Sequence, residues 1–292
     1  MKNKLILIDS NSVIHRAYHA LPPLTDKKGE NVNAVYGSLL VFFRVLSEFN
    51  PNYIVAAFDL PGKTFRHRVY PQYKAQRVKA PEDLYMQIDR MKEVLRSFGV
   101  FVAEKEDYEA DDVIGTIASS VPKDTEVIVV SGDLDVLQLA EKNIRIYSLR
   151  RGVKDISLYG EEEVKEKYEG VSPKQVVEMK ALKGDASDNI PGVSGIGEKT
   201  AISLIKQFGS LEKLYSSLDS LSSSLREKLE KDKENAFMSR DLSLIKKDVP
   251  LNFRLQDSLF CYNEEKVFTQ LNDLNFQSLK NRIPQRETGK LL

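Results

Sequence analysis

Three short apolar runs that each lead to an aspartate constrain this chain most. Leu5–Ile8 runs into Asp9, Tyr53–Phe58 into Asp59, and Glu126–Val130 through Ser131-Gly132 to Asp133. Runs that are nearly continuous in apolar residues, not alternating, predict strands buried on both faces, which is the pattern of a parallel sheet. Ile144–Tyr147 predicts a fourth strand. Helical periodicity covers about 33–49, 84–98 and 109–120, so strands and helices alternate. The expected fold is therefore α/β, a mostly parallel central sheet flanked by helices. In such sheets ligands bind outside the carboxyl ends of the strands. One aspartate after a strand is ordinary turn chemistry; three on one edge of one sheet point to a site.

More acids fall in related places. Glu109, Asp111 and Asp112 share the first turn of an apolar-periodic helix, where the helix dipole alone would favour them. Asp135 lies just past Asp133, and Asp185 and Asp188 sit in KGDASDN. Two carboxylates about 4 Å apart repel by roughly 1 kcal/mol in water and about 4 kcal/mol at an effective dielectric of 20. A convergent group would hold protons above the ordinary carboxylate range or bind cations. Hard oxygen donors without His or Cys point to Mg²⁺ or Mn²⁺, not Zn²⁺. Two such ions roughly 4 Å apart suit phosphoryl chemistry. His15, His19 and His67 lack zinc-like spacing and read as packing or surface residues. No GxxxxGK[ST] loop and no Ser or Cys nucleophile motif is present.

Net charge is zero, 43 basic against 43 acidic residues, which argues weakly against nucleic-acid binding. The distribution argues for it. Leu60–Pro81 holds no acid but carries Lys63, Arg66, Arg68, Lys74, Arg77 and Lys79, interleaved with Phe65, Tyr70 and Tyr73. Basic charge with aromatics suits a phosphate backbone and stacked bases, although a solvated loop would read the same way. No stretch approaches the roughly 18 apolar residues of a membrane span, and the N-terminus is no signal peptide. Cys261 is the single cysteine, so the expected compartment is the cytoplasm.

Beyond about residue 160 the chain reads as helical. Glu161–Tyr168 and Ser172–Leu182 are expected helices, the latter with Ser172 as N-cap and Pro173 at the first position. Glu198–Phe208 and parts of Leu211–Lys247 follow. In Ile190–Ala201, Gly192, Gly195 and Gly197 let the backbone approach a ligand, exposed N–H groups at the helix start suit a phosphate, and Lys199 adds charge. A tight turn with bend glycines is the plainer alternative. A dinucleotide site fits worse, since no strand precedes these glycines.

In order, LILIDSNS…HRAYHA, AVYG, VAAFD, FR…YKAQR, EADDVIGT, SGDLDVLQL and LKGDASDNIPGVSGIGEKTA resemble the 5′ nuclease family over roughly residues 3–281. That family includes the N-terminal domain of bacterial DNA polymerase I, stand-alone 5′–3′ exonucleases and flap endonucleases. The resemblance implies a PIN-like core over 1–170 with a helical arch about 63–90. It also implies a helical DNA-binding region over 171–285, with a helix–hairpin–helix about 184–205 that often holds K⁺, and a polar tail over 286–292. It implies a first metal cluster of Asp9, Asp59, Glu109, Asp111, Asp112 and Asp133, with Asp111 and Asp133 central to catalysis. A second would comprise Asp133, Asp135, Asp185 and Asp188.

Lys74 and Arg77, in the YKxxR motif, would clamp the scissile phosphate, and Tyr73 would stack on a base. Arg66 and Arg68 would be weaker DNA contacts, with Gly192, Gly195, Gly197 and Lys199 holding the duplex. The implied function is a structure-selective 5′ nuclease, a 5′–3′ exonuclease and flap endonuclease. It would cut DNA at flaps, nicks and RNA-primed ends with two or more Mg²⁺ or Mn²⁺ ions, as a monomer away from membranes. Met1 and the short tail suggest a stand-alone enzyme. The rival readings are a non-catalytic DNA-junction binder and a sugar-phosphate phosphatase; the first predicts broken acidic clusters, the second neither basic segment nor glycine hairpin.

Overall fold

The computed structural model describes residues 3–283; the expected polar tail lies outside the described residues. Six strands form one sheet: β1 Lys4–Asp9, β2 Tyr53–Ala57, β3 Phe101–Ala103, β4 Glu126–Ser131, β5 Ile144–Arg151 and β6 Asp155–Tyr159. Their order is β3-β2-β1-β4-β5-β6, parallel except for the antiparallel β5–β6 edge. The direction of winding reverses between β1 and β4, which is where an open α/β sheet leaves a crevice for a ligand.

Burial on both faces explains the continuous apolar runs. Leu5, Leu7, Val127 and Val129 pack into one core, while Ile6, Ile8, Ile128 and Val130 pack into the other. The second core is covered by α1 Ser10–Ala20, α2 Asn33–Phe49 and, beyond the short α3 Phe65–Val69, by α4 Glu82–Ser97. The first is covered by α5 Ala110–Ser120 and, past α6 Glu161–Lys167, by α7 Pro173–Lys183 and α8 Glu198–Phe208. Ser172 caps α7 in a capping box with Gln175, as its sequence implies.

Helices α9 Leu211–Tyr215, α10 Ser223–Lys231 and α11 Lys233–Ser243 complete the helical region, and α12 Glu264–Asp273 returns to the sheet body. Phe260, Val267, Leu271 and Leu279 bury in the α2–α4 core, so the last quarter of the expected 171–285 region belongs physically to the first half. No described helix is long and apolar enough to cross a membrane.

The expected arch is not helical throughout. Between Val69 and Glu82 the chain makes tight turns, and it folds down onto the carboxyl edge of the sheet instead of standing clear of it.

Candidate metal and nucleic-acid site

β1 delivers Asp9 to the crevice, where it is only 7% exposed. It caps α1 by accepting from the Ser12 amide at 3.2 Å, and it accepts the Ser131 hydroxyl at 2.6 Å from the end of β4. Asp59, just past β2, accepts the Ala110 amide at 2.7 Å, and its own amide donates to Asn11 Oδ1. Strand ends thus place two acids beside the N-terminus of α5, which brings Glu109 and Asp111. Asp9, Asp59, Glu109, Asp111, Asp133 and Asp135 line a single cleft of about 560 Å³. A second cleft of about 550 Å³ shares Asp133 and Asp135 and adds Asp185. The two clefts therefore meet at the loop after β4.

Burial disfavours charge on these groups. It raises the Asp9 pKa to about 7, with repulsion from Asp59 and Asp133 adding to it and the Ser131 and Ser12 hydrogen bonds opposing it. Burial likewise raises Asp59, helped by Glu109. It raises Asp111 well above the ordinary range, with Arg66 opposing and Asp112 and Glu109 reinforcing. Asp111 Oδ1 is buried and has no hydrogen-bond partner. A buried orphan carboxylate oxygen among acids that resist ionisation is the donor chemistry a hard cation satisfies.

Basic side chains already lie between the acids. Lys74 Nζ donates to Glu109 at 2.8 Å, and Arg77 to Asp188 at 2.5 Å. Lys180, buried on α7, pairs with both Asp135 and Asp185 at 2.7 Å to the latter. Accordingly, among the described residues no three His, Cys, Asp or Glu side chains converge as a ready-made ligand set. Burial works against the Lys180 charge, but Asp135 and Asp185 outweigh it and raise its pKa. Burial raises Asp135 to about 6 despite Lys180, while Lys180 and Ser187 overcome burial at Asp185 and hold it at about 2.

Several expected site residues serve other ends. Asp112 is fully buried and accepts four bonds: from Arg66 Nη1 at 2.6 Å, Arg66 Nη2 at 2.9 Å, the Glu109 amide and the Lys246 amide. It is the counter-charge of Arg66, and none of its lone pairs faces the cleft. Arg66, 1% exposed, also donates to the Leu242 and Leu244 carbonyls and offers DNA no surface. Tyr73, 3% exposed, sets its hydroxyl between Glu109 (3.1 Å) and Asp188 (3.2 Å), so its ring cannot stack on a base in this arrangement. Asp188 turns away from the second cleft toward Tyr73, Lys74 and Arg77. Gly192 is buried: a Cβ there would lie 2.3 Å from the Gly184 nitrogen, and its N–H donates to Ser239. Gly195, Gly197 and Lys199 are exposed at the start of α8. Arg68 is exposed but forks onto Asp107.

The residues match two family models: "5′-3′ exonuclease, N-terminal resolvase-like domain" over residues 4–169 and "5′-3′ exonuclease, C-terminal SAM fold" over 171–266. The chain belongs to the 5′–3′ exonuclease family. DNA polymerase I of Bacillus subtilis is 44% identical to it over 285 residues, covering 97% of this chain and 32% of the polymerase, so the chain spans about a third of that relative. Two solved structures share the fold. A bacteriophage T5 flap endonuclease, in a pseudo-enzyme–product complex with DNA and metal ions, matches with TM-score 0.69 and 20% identity, covering 94% of this chain and all of that one. Flap endonuclease-1 from Methanococcus jannaschii matches with TM-score 0.64 and 21% identity, covering 96% and 90%.

In this family member the cleft also holds residues that sequence reasoning assigned to packing or passed over. His15, Arg16 and His19 of α1 line the wall facing the acids. His15 and His19 are four apart and Arg16 is three before His19, so all three share one face of the helix that Asp9 caps, which was the available signal. Lys180 follows Val176 by the same interval, which places it on the buried face of α7.

Proposed function

We propose that this chain is a structure-selective 5′ nuclease that hydrolyses DNA phosphodiesters at flaps, nicks and RNA-primed ends. The observation that carries the proposal is the pair of acidic clefts meeting at Asp133 and Asp135, with a cation-bearing segment folded over one of them. Asp9, Asp59, Glu109, Asp111 and Asp133 would hold one Mg²⁺ or Mn²⁺, and Asp133, Asp135 and Asp185 a second. When bound, such ions activate a water and neutralise charge on the leaving oxygen. The T5 complex, solved with DNA and metal ions on the same fold, supports this reading.

The protein's own groups divide the remaining work. Lys74 Nζ and the half-exposed Arg77 can turn from Glu109 and Asp188 to donate to the scissile phosphate. The wall formed by His15, Arg16 and His19 limits where the strand can lie. The exposed Gly195 and Gly197, with Lys199, fit a duplex phosphate without reading sequence. A K⁺ ion at this hairpin, action as a monomer and a cytoplasmic setting complete the proposal. In-line attack leaves a 5′-phosphate and a 3′-hydroxyl.

Two substitutions test the division. Asp133→Ala should abolish cutting of a labelled flap while leaving flap binding nearly intact. Lys199→Ala should weaken binding more than the chemical step, with a shallower salt dependence. Equal loss of binding in both would show that metal and phosphate roles had been confused.

A further inference from the structure

The turn that precedes the exposed glycines grips the basic segment directly. After Asp185, the short Ala186–Asp188 turn ends at Asn189, whose φ of +58° lies in the left-handed region. The turn is closed by paired bonds between Asp185 and Ile190: the Asp185 amide donates to the Ile190 carbonyl at 2.9 Å, and the Ile190 amide to the Asp185 carbonyl at 2.8 Å. Asn189 Nδ2 donates to the Gln72 carbonyl at 2.7 Å, and Asn189 Oδ1 accepts from Gln76 Nε2 at 3.0 Å. The Lys74 amide donates to the Asp188 carbonyl at 2.9 Å, and Lys74 itself is left-handed, with φ +55°. Tyr73 and Ile190 share a small apolar cluster with Leu242.

We infer that Asn189 is a positioning residue: its side-chain amide fastens residues 72–77 to the hairpin, so that the hairpin sets where Lys74 stands over the acidic cleft. An amide side chain suits the task, because its Nδ2 donates to a carbonyl while its Oδ1 accepts from Gln76. A lysine on a long stem is otherwise free to sample many rotamers. Here a backbone bond and a bridging side chain bring its nitrogen to 2.8 Å from Glu109. The same hairpin leads into Gly195, Gly197 and Lys199, so a duplex seated there would fix the cation at the scissile phosphate. This last step rests on the nuclease reading of the cleft; the fastening does not.

The test has two arms on the full chain. Asn189→Gly keeps the left-handed backbone without strain and deletes both side-chain bonds. Asn189→Asp keeps the shape but loses the donor. Hydrogen exchange of the metal-free protein should show the amides of Lys74 and Arg77 exchanging roughly tenfold faster or more in both variants, with the sheet unchanged. On a flap oligonucleotide with Mg²⁺, kcat should fall roughly tenfold while KM stays within about twofold. Gln76→Ala, at an exposed position, should give an intermediate exchange effect confined to the same segment, and it serves if Asn189→Gly fails to fold. Unchanged exchange over 72–77 overturns the proposal. So does a raised KM with kcat intact, which would make Asn189 a direct DNA contact. Faster exchange over 72–77 in the variants, together with a wild-type protein that cuts no flap, would refute the nuclease reading and leave the fastening in place.

Discussion

Replacing Arg66 by Met should cost stability, not DNA affinity. The guanidinium forks onto Asp112 at 2.6 and 2.9 Å, and Asp112 is fully buried. Burial opposes the Arg66 charge, but Asp111, Asp112 and Glu109 outweigh it and raise its pKa, so the guanidinium stays charged. Removing one partner of such a pair strands a buried charge and costs about 3–5 kcal/mol. The buried Leu242 carbonyl also loses a donor, at about 1 kcal/mol, while the Leu244 carbonyl, on an exposed residue, can turn to water. Against a total stability of about 5–15 kcal/mol, that is a large fraction. Urea unfolding followed by circular dichroism measures it. The double variant Arg66→Met/Asp112→Leu removes both charges and should recover much of the loss, since replacing a whole buried pair is often close to neutral. A cost below about 1 kcal/mol for Arg66→Met, or weakened flap binding at unchanged stability, would refute this reasoning and return Arg66 to the DNA-binding surface.

Three further perturbations probe the clefts. Asp9 and Asp135 have folded pKa values raised to about 7 and about 6, so between pH about 4 and 7 the folded state holds protons that the unfolded state has lost. Stability of the ion-free protein should therefore fall as pH rises through that window, and added Mg²⁺ or Mn²⁺ should raise Tm more at pH 8 than at pH 5; an equal shift at both would count against cation binding by these acids. Lys180→Met leaves Asp135 and Asp185 without their shared counter-charge, so Tm at neutral pH should drop by several degrees and be partly restored by divalent ions. Tyr73→Phe keeps the buried ring and deletes the hydroxyl between Glu109 and Asp188; a loss of about 1 kcal/mol is expected in urea unfolding, and none would show those bonds to be idle.

Much of the framework was legible in the sequence because it is local. The runs into Asp9, Asp59 and Asp133 carry their own burial pattern, and the helices at 33–49 and 109–120 carry theirs. β3, only three residues long, and the antiparallel edge β6 are too short or too polar to announce themselves. The site was legible as a set of acids, but not as a set of partners. Arg66 and Arg68 look alike in sequence, yet a carboxylate 46 residues away in the chain draws Arg66 into the core. Asp188 belongs to a sequence motif with Asp185, but Arg77 and Tyr73 turn it toward the other cleft. Lys180 was hidden because a lysine in a helix reads as surface until its face is known to pack. These outcomes depend on which distant side chain arrives opposite, which spacing along the chain does not encode.

The most direct measurement is cleavage of a 5′-labelled flap oligonucleotide by the purified chain, with Mg²⁺ and with EDTA, beside a small phosphomonoester. A metal-dependent 5′ nuclease releases the labelled flap with a 3′-hydroxyl end, leaving the new 5′-phosphate on the downstream strand, only when Mg²⁺ is present, and leaves the monoester untouched. No cleavage with Mg²⁺, full cleavage in EDTA, or hydrolysis of the monoester in preference to the flap would contradict it.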